Sequence, residues 1–103
     1  MKKLYHATCI SKRDSIKNNG LEPRLSRRWD FGYTDKRVYL FGDLNNPPID
    51  YVGNYGVDIW EVNLDENCII NDDVIALNDG YKNSYYINDP VNPDKLKLIK
   101  TID

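Results

Sequence analysis

A chain of 103 residues carrying a formal charge of −2 has room for one domain built on one hydrophobic core. Its fourteen basic and sixteen acidic side chains nearly cancel, which excludes a mainly electrostatic grip on nucleic acid or an anionic membrane. Apolar residues at 41% exclude global disorder, and no apolar run approaches the ~18–20 residues of a membrane-spanning helix. The opening Met-Lys-Lys-Leu-Tyr-His carries charge but no signal-peptide apolar stretch, so a cytoplasmic chain is expected. Cys9 and Cys68 lie far apart without CxxC spacing and read as buried, reduced thiols. A single histidine, His6, leaves no ordinary zinc ligand set, and no metal is expected.

In chain order, Lys2–Ala7 alternates as a strand, with Leu4 and His6 on one face and Tyr5 and Ala7 on the other. Ser11-Lys12-Arg13-Asp14 has the form of a capping box. It predicts a helix over about Lys12–Asn19, stopped by Gly20. Glu22–Lys36 shows no stable period and reads as a long loop, made basic by Arg24, Arg27 and Arg28. A strand over Arg37–Phe41 follows, ending at Gly42-Asp43. Asn46 before Pro47-Pro48 then signals a short helix to about Gly53. Val57–Leu64 alternates well, with Val57, Ile59, Glu61 and Asn63 facing away from Asp58, Trp60, Val62 and Leu64. Cys68–Ile70 and Val74–Leu77 look like short strand pieces. Ser84–Ile87 and Leu96–Ile102 read as strands joined by the turn over 88–93. The sum is one α+β domain over 1–103: one or two short helices and five to seven short, mostly antiparallel strands.

The order of the local motifs carries more than any one of them. Leu4-Tyr5-His6-Ala7-Thr8, followed by a capped helix and then Asn19-Gly20-Leu21-Glu22-Pro23, resembles the opening of the ADP-ribosyltransferase superfamily. Val38-Tyr39-Leu40-Phe41 resembles its second motif. Ile49-Asp50-Tyr51-Val52 resembles the aromatic-bearing helix after that motif, and Ile59–Asp65 the strand that comes next. Asn83-Ser84-Tyr85-Tyr86-Ile87 and Val91–Leu96 are similar to the closing element. The likeness spans nearly the whole chain and implies a small split antiparallel β-sheet with one or two short helices.

The resemblance also implies roles. NAD would be the substrate, its nicotinamide–ribose bond breaking through an oxocarbenium-like state. His6 would hydrogen-bond ribose hydroxyls, and the backbone of Ala7 would pair with the nicotinamide carboxamide beside Thr8. Tyr39 would stack on the nicotinamide ring, with Tyr51 as the candidate for its other face. Arg24 could meet the pyrophosphate through charge-assisted hydrogen bonds.

One departure matters. The family's third-motif Glu falls at or near Ser84 here, and no Glu follows Glu66. Glu61, or an Asp such as Asp79 or Asp89, would have to substitute for it. Two readings stay open on that ground. The chain is either a minimal transferase of toxin or phage-effector type, acting on a protein or nucleic-acid target, or a non-catalytic NAD or ADP-ribose binder on the same fold. An interaction or inhibitor protein with only a topological likeness is the third. Taken alone, His6 reads as a structural histidine, Tyr39 and Tyr51 as packing aromatics and Arg24 as part of a solvated loop face.

Overall fold

The computed structural model of the chain describes residues 2–24, 36–45, 47, 56–71 and 83–102. Six strands form one sheet: β1 (Lys2–Cys9), β2 (Val38–Phe41), β3 (Val57–Leu64), β4 (Ile70–Asn71), β5 (Ser84–Ile87) and β6 (Leu96–Ile102). Their spatial order is β4-β5-β2-β1-β3-β6, and every neighbouring pair is antiparallel. One α-helix, α1 (Arg13–Asn19), joins them among the described residues, giving a small α+β fold.

The period-two alternation of β1 and β3 sets the core. Leu4, Val38, Leu40, Trp60, Val62, Leu64 and Ile87 turn to one face, where Ile16 of α1, Leu21 and Val91 bury them. Phe41, Val57 and Ile59 form a smaller cluster on the other face with Tyr5, Ala7, Ile99 and Ile102. Each fully buried aliphatic side chain contributes roughly 1.5–3 kcal/mol. Helix α1 is short and carries one buried residue, Ile16, so packing holds it in place more than propensity does.

Its start differs from the expected capping box. Ser11 lies inside a 3₁₀ turn over Ile10–Lys12, and the helix begins after Lys12 with no side-chain cap. That turn is pinned instead by the Ile10 N–H, which donates to the Gly56 carbonyl at 2.8 Å. The C-terminus is as expected: Gly20 has φ +76° and donates to the Ile16 carbonyl at 2.8 Å.

Other expectations are adjusted in detail. Cys68 closes a 3₁₀ turn (Glu66–Cys68), capped by the Asp65 carboxylate accepting from the Asn67 N–H, so the strand starts at Ile70. Neither Cys9 nor Cys68 is in a disulfide, and both are exposed rather than buried, because they sit at the end of β1 and in that surface turn. The strand at Val74–Leu77 and all but Pro47 of the Pro47–Gly53 helix lie outside the described residues. So does most of the 22–36 loop.

β5 and β6 are not neighbours. The connection over 88–95 carries the chain across the α1 face to the opposite edge of the sheet. On the way Val91 pairs with Leu21 through backbone hydrogen bonds of 2.8 and 2.9 Å. No described helix is long and apolar enough to cross a membrane.

A buried ion pair fastens the helix to the sheet. Asp58 of β3 has no exposed surface. Arg13 reaches it with two parallel bonds, Nε to Oδ2 at 2.8 Å and Nη2 to Oδ1 at 2.6 Å. Thr101 of β6 donates its hydroxyl to the same Oδ1 at 2.8 Å. The Arg13 bonds hold the Asp58 carboxyl below its ordinary pKa, against the opposing effect of burial.

Candidate functional site

β1 treats its two neighbours differently. Against β3 it is registered along all eight residues, from Lys2↔Leu64 to Cys9↔Val57. Against β2 it shares the single pair Tyr5↔Phe41, with the two rings 5.8 Å apart. Beyond Tyr5 the sheet is split, and the ladder positions of β1 and β2 face one another without pairing. His6 enters the gap. Its Nδ1 lies 2.7 Å from the Tyr39 carbonyl, so an imidazole stands where a backbone bond would otherwise close the ladder.

The electrostatics of that bond fix the ring. A carbonyl oxygen only accepts, so Nδ1 carries the proton. Desolvation pushes the His6 pKa below its ordinary value more strongly than the carbonyl raises it. The ring is therefore neutral at pH 7, with the lone pair on Nε2. No described residue partners Nε2.

Register shows how the other sequence-predicted residues relate to it. Tyr39 pairs with Tyr86 and Phe41 with Ser84, so Tyr39 and Ser84 point to the face of Tyr5 and Ala7. The pleat starts His6 from the opposite face, that of Leu4 and Trp60, with Thr8 two residues on, opposite Asp58. His6 thus reaches the backbone of Tyr39, whose ring lies toward the other side. Both residues border the split, from its two faces. Ala7, on the Tyr39 side, has the small side chain that leaves a neighbouring backbone approachable.

Ser84 is buried, at 8% exposure. Glu61 lies in the same transverse row of the sheet, Ser84–Phe41–Tyr5–Glu61. Three strand spacings separate the two, about 14 Å at ~4.8 Å each. Its carboxylate sits 3.8 Å from the Lys3 ammonium, toward the end of β1 away from Ala7. The geometry does not bring Glu61 to the split. Asp89 is exposed in the bend after β5, while Tyr51 and Asp79 lie outside the described residues.

Arg24 is brought in from a distance. It forms an antiparallel bridge with Arg37, with backbone bonds of 2.9 and 2.8 Å, at the mouth of β2 and two residues before Tyr39. Arg37 was not singled out from the sequence, yet its guanidinium carbon lies 3.7 Å from the centre of the Tyr86 ring. Two like charges placed directly opposite repel one another, and stacking on Tyr86 offsets part of that cost. The signal that could have found Arg37 was its place immediately before the Val38-Tyr39 motif. Sequence alternation puts Trp60 only on the strand face of Asp58, Val62 and Leu64; it stands directly opposite His6, with 3% exposure and a buried indole N–H that has no hydrogen-bond partner among the described residues.

A separate open depression lies at the other end of β1, lined by Lys2, Lys3, Glu66, Ile69, Asn71 and Tyr85. Lys2 lies over the Tyr85 ring there at 5.0 Å. None of the sequence-predicted site residues borders it. Among the described residues no group of three or more His, Cys, Asp or Glu could hold a metal ion.

Comparison with models of protein families, with curated proteins and with solved structures finds no match to this chain.

Proposed function

We propose that this chain is a minimal NAD-directed domain of the ADP-ribosyltransferase kind, transferring ADP-ribose to a macromolecular target, with a protein favoured by the near-neutral charge. The observation that carries the reading is the split between β1 and β2, with His6 bonded to the Tyr39 backbone across it. The opened ladder would offer polar backbone to a flat, amide-bearing ligand, with the Tyr39 ring available on one face of the sheet only. The His6 imidazole comes from the other face rather than lining a common cleft with that ring. Arg24, brought to the mouth of β2 by its backbone bridge to Arg37, is the candidate to meet a pyrophosphate.

The chemistry asked of such a site is modest. The C–N bond to the cationic nicotinamide breaks, and its electron pair leaves with neutral nicotinamide. A target nucleophile then forms a bond to the ribose carbon and gives up its proton. The protein must hold the nicotinamide flat, orient the ribose and stabilise the developing positive charge.

The last requirement favours a second reading, a binder that turns NAD over slowly or not at all. Ser84 stands where the resemblance calls for a carboxylate, and Glu61 is turned toward Lys3. One missing electrostatic stabiliser costs about 10²–10³ in rate.

Nicotinamide release from NAD, measured alone and in a host lysate, separates the two. Release that disappears in His6→Ala supports the transferase. Calorimetric NAD binding without release supports the binder, and no binding at all rejects both. In Ser84→Glu, release should rise if the third-motif alignment is right, at some loss of stability because Ser84 is buried. Unchanged release in a folded, NAD-binding Ser84→Glu chain refutes the alignment.

A further inference from the structure

We propose that the outer edge of β6 is a docking site for an extended, acidic segment of a partner protein, which adds to the sheet as a further strand with its carboxylates against Lys97 and Lys100. The inference stands apart from the ligand reading above, because no residue of the β1–β2 split takes part in it.

The two edges of the sheet are unlike. β4 ends one side with two residues, and so short an edge offers little backbone for pairing. β6 ends the other side with seven, registered to β3 on its inner side, and no described strand lies on its outer side. The N–H and C=O groups that point outward there are left for water or for another strand. The side chains along this edge are also incompletely covered. Leu96 and Leu98 lie opposite Val62 and Trp60 and pack on the main core, while Ile99 and Ile102 pack on the smaller cluster. All four are only half-buried, so an added strand would remove apolar surface from water on both faces.

Charge decides what can be added. Lys97 lies opposite Glu61 and Lys100 opposite Ile59, so both start from the face of Tyr5, and both are exposed. Glu61 already lies 3.8 Å from Lys3, and neither edge lysine forms an ion pair among the described residues. A second copy of the chain is a poor occupant. Antiparallel pairing of two β6 strands about Leu98–Ile99 sets each Lys97 against the other copy's Lys100, and like charges directly opposite destabilise a sheet. Lysines guard the edge against its own kind by charge, and a strand bearing carboxylates is the one they admit. The matching segment alternates, with acidic residues on the Lys97 face and apolar ones beside Leu96 and Leu98 on the α1 face. Ile99 is the extra residue where the register shifts between Ile59 and Trp60, and the twist of such a bulge restricts where the segment can sit.

The probe is a synthetic peptide long enough to span β6 that alternates Glu with Val, set against the same peptide with Lys in place of Glu. Hydrogen exchange of the full chain should slow at the Leu96–Ile102 amides with the Glu peptide and stay unchanged with the Lys peptide. Added salt should weaken the binding. In the double variant Lys97→Thr/Lys100→Thr, which puts a strand-forming residue at both exposed positions, affinity for the Glu peptide should fall roughly two- to thirtyfold, the effect of two cross-strand charge pairs. Without peptide, the wild-type chain should sediment as a monomer.

No binding of the Glu peptide, equal binding of both peptides, or binding that leaves the β6 amides unprotected overturns the proposal. A wild-type dimer protected at β6 overturns it in favour of a second copy as the occupant. A folded double variant that binds the Glu peptide as tightly as wild type overturns the role of the lysines. Should that variant fail to fold, the two peptides on the wild-type chain still decide. A failed peptide test leaves the NAD reading untouched, and absence of NAD binding leaves the edge proposal untouched.

Discussion

The two long edges of β1 were built from the same eight residues and ended differently. Toward β3 every residue has a cross-strand partner, and Leu4, Val62 and Trp60 bury the contact under α1. Toward β2 one pair holds and an imidazole replaces the next bond. The contrast teaches where this small domain keeps its stability and where it leaves polar backbone for other use. A closed ladder satisfies its own N–H and C=O groups, while an opened one must satisfy them with side chains, water or ligand.

The largest expected effect comes from attacking what holds the closed side down. Gly20 ends α1 at φ +76°, and a Cβ there would fall 1.9 Å from the Val91 carbonyl oxygen. Both the backbone conformation and the clash oppose any side chain, so Gly20→Ala should cost roughly 4 kcal/mol or more. Denaturant titration checks this. A loss below about 1 kcal/mol would mean that the 88–95 connection does not clamp the helix face as described.

Asp58→Ala should come next, at about 3 kcal/mol, because it strands part-buried Arg13 without its partner. Its pH signature can be worked out in sign. The folded pKa of Asp58 lies below its ordinary 3.8, so the pair contributes fully above that value. The contribution is lost as pH falls through the folded pKa. His6 acts in a separate window. Its folded pKa lies below 6.5, so the unfolded chain binds the extra proton first, and stability declines as pH drops beneath 6.5. Denaturation curves across pH should show two acid-side steps. Asp58→Asn should remove only the lower one.

How much of this could be read from the sequence divides along the same line. Local rules reached the local features: the alternation of Val57–Leu64, the helix stop at Gly20, the strands at Ser84 and Leu96. They placed Asp58 on the Trp60 face but could not show that Arg13, 45 residues away, would meet it there. The turn over 88–93 suggested two joined strands, yet β5 and β6 went to opposite halves of the sheet, because strand partners are chosen by burial across the whole domain. The capping box failed because the Ile10–Gly56 bond draws Ser11 into a 3₁₀ turn. At the split, motif order named His6, Ala7 and Tyr39. It could not show that His6 meets the backbone of Tyr39 rather than standing beside its ring.

On the open side the effects should appear in binding more than in folding. Tyr39 lies beside the gap with Tyr86 as its cross-strand neighbour. If its ring carries a nicotinamide, Tyr39→Ala removes a stacking surface worth about 1–3 kcal/mol, a five- to hundredfold loss of NAD affinity. Calorimetry giving equal NAD affinity for wild type and Tyr39→Ala would remove Tyr39 from the site. A Tyr39→Phe control should keep most of the affinity, since it keeps the ring.

The smallest effect is expected at Glu61, and it sharpens the comparison because Glu61 belongs to the closed side. Its carboxylate faces a Lys3 that is 63% exposed, at 3.8 Å, and surface ion pairs of this kind contribute about 0–1 kcal/mol. Glu61→Gln should thus change stability by less than about 0.5 kcal/mol, with the difference shrinking further in high salt. The same variant tests whether Glu61 replaces the carboxylate missing at Ser84. Three strand spacings and a turn toward Lys3 separate it from the Ser84 end of the row, so nicotinamide release should stay within about twofold of wild type, against the 10²–10³ expected for a lost transition-state stabiliser. A loss of that larger size in a stably folded Glu61→Gln chain would mean that the catalytic charge comes from the closed ladder. The split would then be a binding gap, with the chemistry done beside it.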